Sequence, residues 1–145
     1  MPYDYKWYRL IEDKSLEQGD ILFDFPILEL EDYSELVRNP ENPSTYINQY
    51  DVIVMTQSCD LVNDKISQIV LCPHLDVKQA AKVDPSFAKN NKLDEIRKGK
   101  YSHLAMLNKC DIDELPMGLR IVDFGLFLVY QRNSWRNLHQ NKCHV

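Results

Sequence analysis

Glycine is scarce in this chain, with four residues in 145, and nothing in the sequence resembles a glycine-rich loop that cradles phosphate through backbone amides. The four cysteines, Cys59, Cys72, Cys110 and Cys143, show no C-x-x-C and no short-framework spacing, so free thiols in a reducing, cytoplasmic setting are expected. No apolar run approaches the length that crosses a bilayer, and no apolar leader stands behind MPYDYKWYRL; no membrane association is expected. Bases are outnumbered, 17 Lys and Arg against 22 Asp and Glu, for a net charge of −5. A protein of that sign repels nucleic acid by its overall field, so any such contact needs a local patch.

What remains is an ordinary globular composition, 44% hydrophobic, long enough to bury a core without disulfide staples. The chain reads as a single domain over residues 1–145, with an aromatic N-terminal segment at 1–17, a core at 18–130 and a loosely held tail at 131–145. It is organised around VIVMTQSCDLVNDKISQIVLCPH, from Val52 to His74. Two apolar runs flank a polar turn there, and Gln57, Ser58, Cys59 and Asp60 stand where the first run ends, which predicts two buried strands joined at a polar corner.

Along the chain, Tyr3, Tyr5, Trp7 and Tyr8 read as a lid on the core. Gly19-Asp20 marks a turn before a strand from Ile21 to Phe25, and Pro26 confines that strand to an edge or to its end. Residues 29–49 carry two prolines in a polar NPENPS cluster and are expected to form a long surface loop. Two short helices are predicted, about Val77 to Val83 and Pro85 to Arg97, the second closed by Gly99. Lys89, Lys92, Arg97, Lys98 and Lys100 make this the one locally basic region, through which RNA could be met. A strand follows from Tyr101 to Lys109, with Leu104 and Met106 on one side and Ala105 and Leu107 on the other. The longest β-type run is Leu119 to Gln131, with Gly125 as a bulge.

An ordered set of short motifs, Gly19-Asp20-Ile21, Gln57-Ser58-Cys59-Asp60-Leu61, Val70-Leu71-Cys72-Pro73, Ile96-Arg97-Lys98-Gly99, Tyr101-Ser102-His103-Leu104 and Ile121-Val122-Asp123-Phe124, resembles a family of uncharacterised bacterial proteins over about residues 18–130. Longer relatives in that family continue into an arginine- and phenylalanine-rich C-terminal segment. A more distant similarity is to MazF/PemK-like SH3-like barrels, the fold of bacterial toxin endoribonucleases. Gly19-Asp20-Ile21, Val52 to Met55 and Val70 to Pro73 match its order of turn, strand and return strand. The arginine that the barrel carries before its VIV-type strand is replaced here by Gln49-Tyr50-Asp51, and the Ser or Thr after its corner proline is His74. The resemblance implies a small barrel and, as the rival activity, RNA cleavage.

Several chemistries compete for the corner. A nucleophilic Cys59 would need His74 or His103 to lower its pKa, with Asp60 or Asp123 orienting the imidazole; a lone cysteine at a strand end is otherwise a small buried hydrophobe. Zinc is the metal alternative, with Cys59, Cys72 and His74 as ligands and His103 and Cys110 in reserve, although only Cys72 and His74 are close in sequence. Thr56, Gln57, Ser58 and Asp60 also fit a purely architectural role, bonding backbone at a turn. Asp123, inside an apolar run, must reach solvent or be paired, with Arg120 or Arg97 as partner.

The sequence therefore predicts an α+β fold, a bent antiparallel sheet or small SH3-like β-barrel with a short helical insertion. The expected function is that of an accessory or regulatory binding module, from a mobile or defence-type bacterial locus. It would bind a protein partner through Gln57, Ser58, Cys59, Asp60, Arg97 and Asp123, without a cofactor. An endoribonuclease, or a zinc or cysteine hydrolase built on Cys59, Asp60, His74 and His103, is the rival class.

Overall fold

The computed structural model describes residues 7–12, 15–63, 65–131 and 142–144. Eight strands and four α-helices follow in the order β1 (Arg9–Ile11), β2 (Asp20–Leu30), α1 (Tyr33–Arg38), β3 (Thr45–Val54), α2 (Ser58–Val62), β4 (Gln68–Asp76), α3 (Val77–Val83), α4 (Asn90–Arg97), β5 (Leu104–Leu107), β6 (Arg120–Asp123), β7 (Leu128–Gln131) and β8 (Lys142–His144). All pairings are antiparallel, in the spatial order β1-β8-β2-β3-β4-β6-β5, with β7 also on β4. The end strands β1 and β5 do not pair, so the sheet is bent and open, and the closed-barrel form of the expectation is not adopted. Among the described residues no helix is long and apolar enough to cross a membrane.

Strand alternation sorts the apolar residues onto two faces. Leu22, Phe25, Ile27, Val52, Val54, Ile69 and Leu71 form one core with Leu16 and Leu61. Ile21, Cys72, Leu107 and Val122 form a second with Tyr8, Cys110 and Met117. Leu104, Met106 and Ile121 look the other way from β5 and β6, onto Ala80, Leu93 and Ile96 of the helical insertion. The alternation expected for Leu104 to Leu107 is thus present, in a strand shorter than Tyr101 to Lys109.

The expected loop over residues 29–49 is instead a ribbon. β2 runs on through Pro26 to Leu30 and pairs with β3 down to Leu30–Thr45. Pro26 is tolerated because β2 meets β8 only at Asp20–Leu22, leaving the other edge of Pro26 with no ladder partner among the described residues. The Tyr50 hydroxyl donates across the ribbon to Glu29, and the Tyr46 and Tyr50 hydroxyls hold the Glu29 carboxyl below the usual carboxylate range. Only residues 39–44, around the two prolines, remain a turn, preceded by α1, whose start is capped by Asp32 accepting from Ser34 N at 2.7 Å.

Three other segments differ in detail. The helix expected from Pro85 is broken: Pro85–Ala88 is a 3-10 turn, Lys89 is extended (φ −91°, ψ 126°), and α4 starts at Asn90. Gly99 closes α4 in the left-handed region, φ +71°, with Gly99 N and Lys100 N donating to Ile96 O and Glu95 O, a glycine-terminated helix end. The run Leu119 to Gln131 splits into β6 and β7, both along β4. Between the Val122–His74 and Leu128–Leu71 pairs the outer chain advances six residues while β4 advances three, so the expected bulge is a three-residue excursion. Asp123 Oδ1 accepts from Gly125 N at 2.8 Å there. In the tail expected to be loose, Lys142–His144 pairs as β8 between β1 and β2.

Candidate functional site

The Gln57 to Asp60 corner is built as a joint. Thr56 Oγ1 accepts from Val70 N at 2.8 Å, and Ser58 Oγ accepts from Gln18 N at 2.9 Å, while Gln18 Nε2 donates to Met55 O at 3.2 Å. These bonds tie the Gly19-Asp20 turn to the β3–β4 crossing. Gln57 precedes the first turn of α2, whose Leu61 is buried. Cys59 is exposed, and its Sγ lies 3.7 Å from Gln57 Oε1.

His74 is at the other end of the same strand pair. β3 and β4 pair through Val54–Leu71, Ile53–Cys72 and Val52–Pro73; Cys59 lies beyond the first of these and His74 beyond the last. His103 is exposed after α4, with its ring 6.3 Å from that of Tyr101. The structure therefore brings neither histidine to Cys59, Ser58 or Asp60, and Cys59, Cys72 and His74 are not gathered as metal ligands. Among the described residues no three His, Cys, Asp or Glu side chains are grouped to hold a metal ion. Cys72 is fully buried, and burial, then the nearby Asp123, pushes its thiol pKa up. Cys59→Ala is expected to leave stability within about 0.5 kcal/mol of the parent. In a native titration with a thiol reagent, Cys59 should react ahead of Cys72 and Cys110; protection of Cys59 would show the corner to be covered.

A different cluster emerges where β3 and β4 separate. The Arg120 side chain, from β6, is buried and bridges two other strands: its Nε donates to His74 Nδ1 at 2.7 Å and its Nη2 to Asp51 Oδ2. The second oxygen of Asp51 accepts from Asp24 N at 3.0 Å. Asp24 sits at φ +51° in the bulge that places Phe23 and Asp24 opposite the single residue Asp51. Phe23 closes the cluster, its ring edge-on to His74 at 5.5 Å and beneath the guanidinium at 5.4 Å.

Because His74 Nδ1 accepts from Arg120, its proton resides on Nε2. Burial first, then the Arg120 charge, lowers the His74 pKa from 6.5 to about 4; Asp51 and the Val52 and Leu22 carbonyls oppose this. Those carbonyls act without closing a hydrogen bond, since Nε2 has no partner within bonding geometry although His74 is only 3% exposed. A buried donor left unmet costs about 1–3 kcal/mol.

Beside this cluster a cavity of about 550 Å³ opens between the separating strands and the helical insertion, within the usual range for ligand sites. Tyr50, Asp51, Pro73, His74 and Leu75 form the strand walls, with Leu104, Ile121 and Asp123 from β5 and β6, and Ala80, Val83, Asp84 and Phe87 from the insertion. No Lys or Arg is among its lining residues.

Of the residues singled out from sequence, His74 and Asp123 line this cavity, while Gln57, Ser58, Cys59, Asp60, Arg97 and His103 do not. Asp123 pairs with neither Arg120 nor Arg97: Arg120 holds Asp51, and Arg97 lies 3.1 Å from Asp94. Within the basic stretch, Lys92 sits 3.9 Å over the Tyr101 ring and Lys100 pairs with Glu95 at 3.1 Å, so much of its charge is answered locally. Asp51 and Arg120 were overlooked as a pair, although a charged residue beside VIV and another beside IV both required partners in a buried sheet. No family model, curated protein or solved structure matches the chain.

Proposed function

We propose that this chain is an accessory or regulatory binding module that takes a protein partner, and that an extended segment of the partner adds to the free edge of β3. The observation that carries this reading is the unguarded edge itself. From Thr45 to Tyr50 β3 pairs with β2 alone among the described residues, and TYINQY contains no charge and no proline. Exposed strand edges are ordinarily blunted by lysine, proline or a covering element, because their unpaired amides and carbonyls template another strand. The same edge is the site of recognition in modules that bind by strand addition. Supporting it, the ribbon exposes apolar side chains, Ile47 (69%) opposite Leu28 (68%). The α1 helix above it buries none of its residues. Placement in a mobile or defence-type bacterial locus follows only by analogy with the toxin-like resemblance.

The test is selection of extended peptides by display on the purified protein, followed by hydrogen exchange of the complex. Binding peptides should protect amides in 45–51. Tyr46→Lys combined with Ile47→Lys, at exposed positions, should weaken them about tenfold while leaving the melting transition in place. Selected peptides that protect 57–60 instead, or that ignore the double substitution, would sink this reading.

A further inference from the structure

Hydrogen bonds at the two ends of β3 fix which of its amides face the free edge. Ser44 O accepts from Glu31 N on the β2 side at 3.0 Å, and Met55 N donates to Val70 O on the β4 side at 2.9 Å. Residues of an antiparallel strand bond alternately to one neighbour and the other. Tyr46, Asn48 and Tyr50 therefore bond to β2, and Thr45, Ile47 and Gln49 turn their N–H and C=O outward, where no strand meets them among the described residues. Gln49 N donates instead to Asn48 Oδ1 at 3.0 Å, a side chain standing in for a strand. From Phe25–Tyr50 to Leu30–Thr45 the β2–β3 ribbon has no third strand on either edge among the described residues, and a two-stranded ribbon alone is marginally stable in water. We infer that the strand added to this edge is β3 of a second copy of this chain, antiparallel about a two-fold axis at Ile47. The inference rests on the strand-addition reading and names the partner of that edge.

Three features select a second copy. The first is backbone register: an axis at Ile47 sets Ile47 opposite Ile47 and Thr45 opposite Gln49, so each outward N–H meets an outward carbonyl. Beyond Thr45 the ladder stops at Pro43, which has no N–H to give.

The second is the apolar row. Ile47 stands opposite Leu28 within the ribbon, and both are exposed; the axis at Ile47 extends them into Leu28, Ile47, Ile47 and Leu28 across four strands on one face. An axis at Asn48 would also match the amides, but it would set Ile47 against Gln49 and break that row.

The third is charge. Two copies of net charge −5 repel, and an isologous contact sets a patch against itself, so any acid within it meets its own like. Thr45 to Tyr50 holds no charge, and across this edge no like charges are opposed. Glu29, the nearest acid on the ribbon, stands beside Tyr46 on β2, one strand back from the edge.

The experiment is sedimentation of the purified chain over a dilution series, with residue-resolved amide exchange at both ends of the series. The concentrated protein should have twice the 17.1 kDa of one chain and return to one chain on dilution. Ile47 and Gln49 amides should be protected only in the dimer, while Tyr46 and Asn48, bonded to β2, should exchange alike in both states. Ile47→Lys and Ile47→Glu, at an exposed position, should each melt cooperatively yet raise the dissociation constant about tenfold, because like charges then face each other across the axis. An equimolar mixture of the two variants should restore the dimer. A chain that is monomeric throughout, a dimer whose Ile47 and Gln49 amides exchange as in the monomer, or a mixture no tighter than either variant overturns the inference. Peptide selection on the parent, diluted to monomer, separates the two readings. A chain that does not dimerise but whose 45–51 amides are protected by selected peptides defeats the second copy alone; one that no peptide protects there defeats strand addition with it.

Discussion

Replacing Arg120 by methionine is expected to destabilise the fold by about 3 kcal/mol, because removing one member of a buried ion pair strands the other. The substitution keeps an unbranched apolar side chain in the buried space, and it removes the guanidinium stacked on Phe23 together with two hydrogen bonds, to His74 Nδ1 and to Asp51. The Asp51 side chain, about a quarter exposed, keeps a single donor in Asp24 N, and the bulge in β2 is no longer anchored to β6. Chemical denaturation near neutral pH measures the loss. Combining Arg120→Met with Asp51→Asn should cost less than the two changes added together, since the second removes the charge that the first leaves unpaired. Strict additivity, or a parent-like stability for Arg120→Met alone, would mean that the cluster is held by the surrounding sheet and not by its charges.

The same cluster marks the boundary of what the sequence made legible. Continuous apolar runs placed the strands around Val52 to Met55 and Ile69 to Cys72, and alternation sorted Leu104 to Leu107 onto two faces, because both patterns are local properties of the chain. The helix Val77–Val83 was legible from its alanines and lysines and from Asp84-Pro85 beyond its end, and the structure adds Asp76 as its cap. The ribbon over residues 29–49 was obscured because its pairing is long-range and its composition polar: Tyr46, Asn48 and Gln49 bury little, so no apolar period announces a strand. The corner singled out from sequence and the cavity are different places for a related reason. Gln57 to Asp60 is conspicuous as a string of reactive residue types, yet Ser58 Oγ accepts from the Gln18 amide, as Thr56 Oγ1 just before it does from the Val70 amide. Asp51, His74 and Arg120 are 23 and 46 positions apart along the chain and meet only because β4 lies between β3 and β6. What local reading could supply was the demand for a partner at each charge in an apolar strand; which partner answered was a matter of sheet order.

Acidification should expose the role of His74 directly. In the folded chain its pKa is lowered to about 4, from an ordinary 6.5. Between those values the unfolded chain takes up a proton that the folded one refuses. The stabilisation is therefore complete above pH 6.5, falls as pH drops towards 4, and levels off below that, a loss of about 3 kcal/mol at 1.36 kcal/mol per unit. The first physical cause is burial, and the Arg120 charge adds to it. Protonating Nδ1 removes the acceptor that Arg120 Nε uses and sets imidazolium against guanidinium in a buried site, with Asp51 the only carboxylate in the cluster to offset it. The carboxylates held below their usual range, Glu29, Asp32, Asp84 and Glu95, act at the acidic end of the scan. The slope between pH 6.5 and 5.5 is thus the histidine's. His74→Gln keeps an acceptor for Arg120 and cannot titrate, so its stability should be flat across that window while the parent's declines. Parallel profiles for the two proteins would show that His74 is already protonated in the folded state, and the assignment of a neutral, Nε2-protonated ring would have to be abandoned.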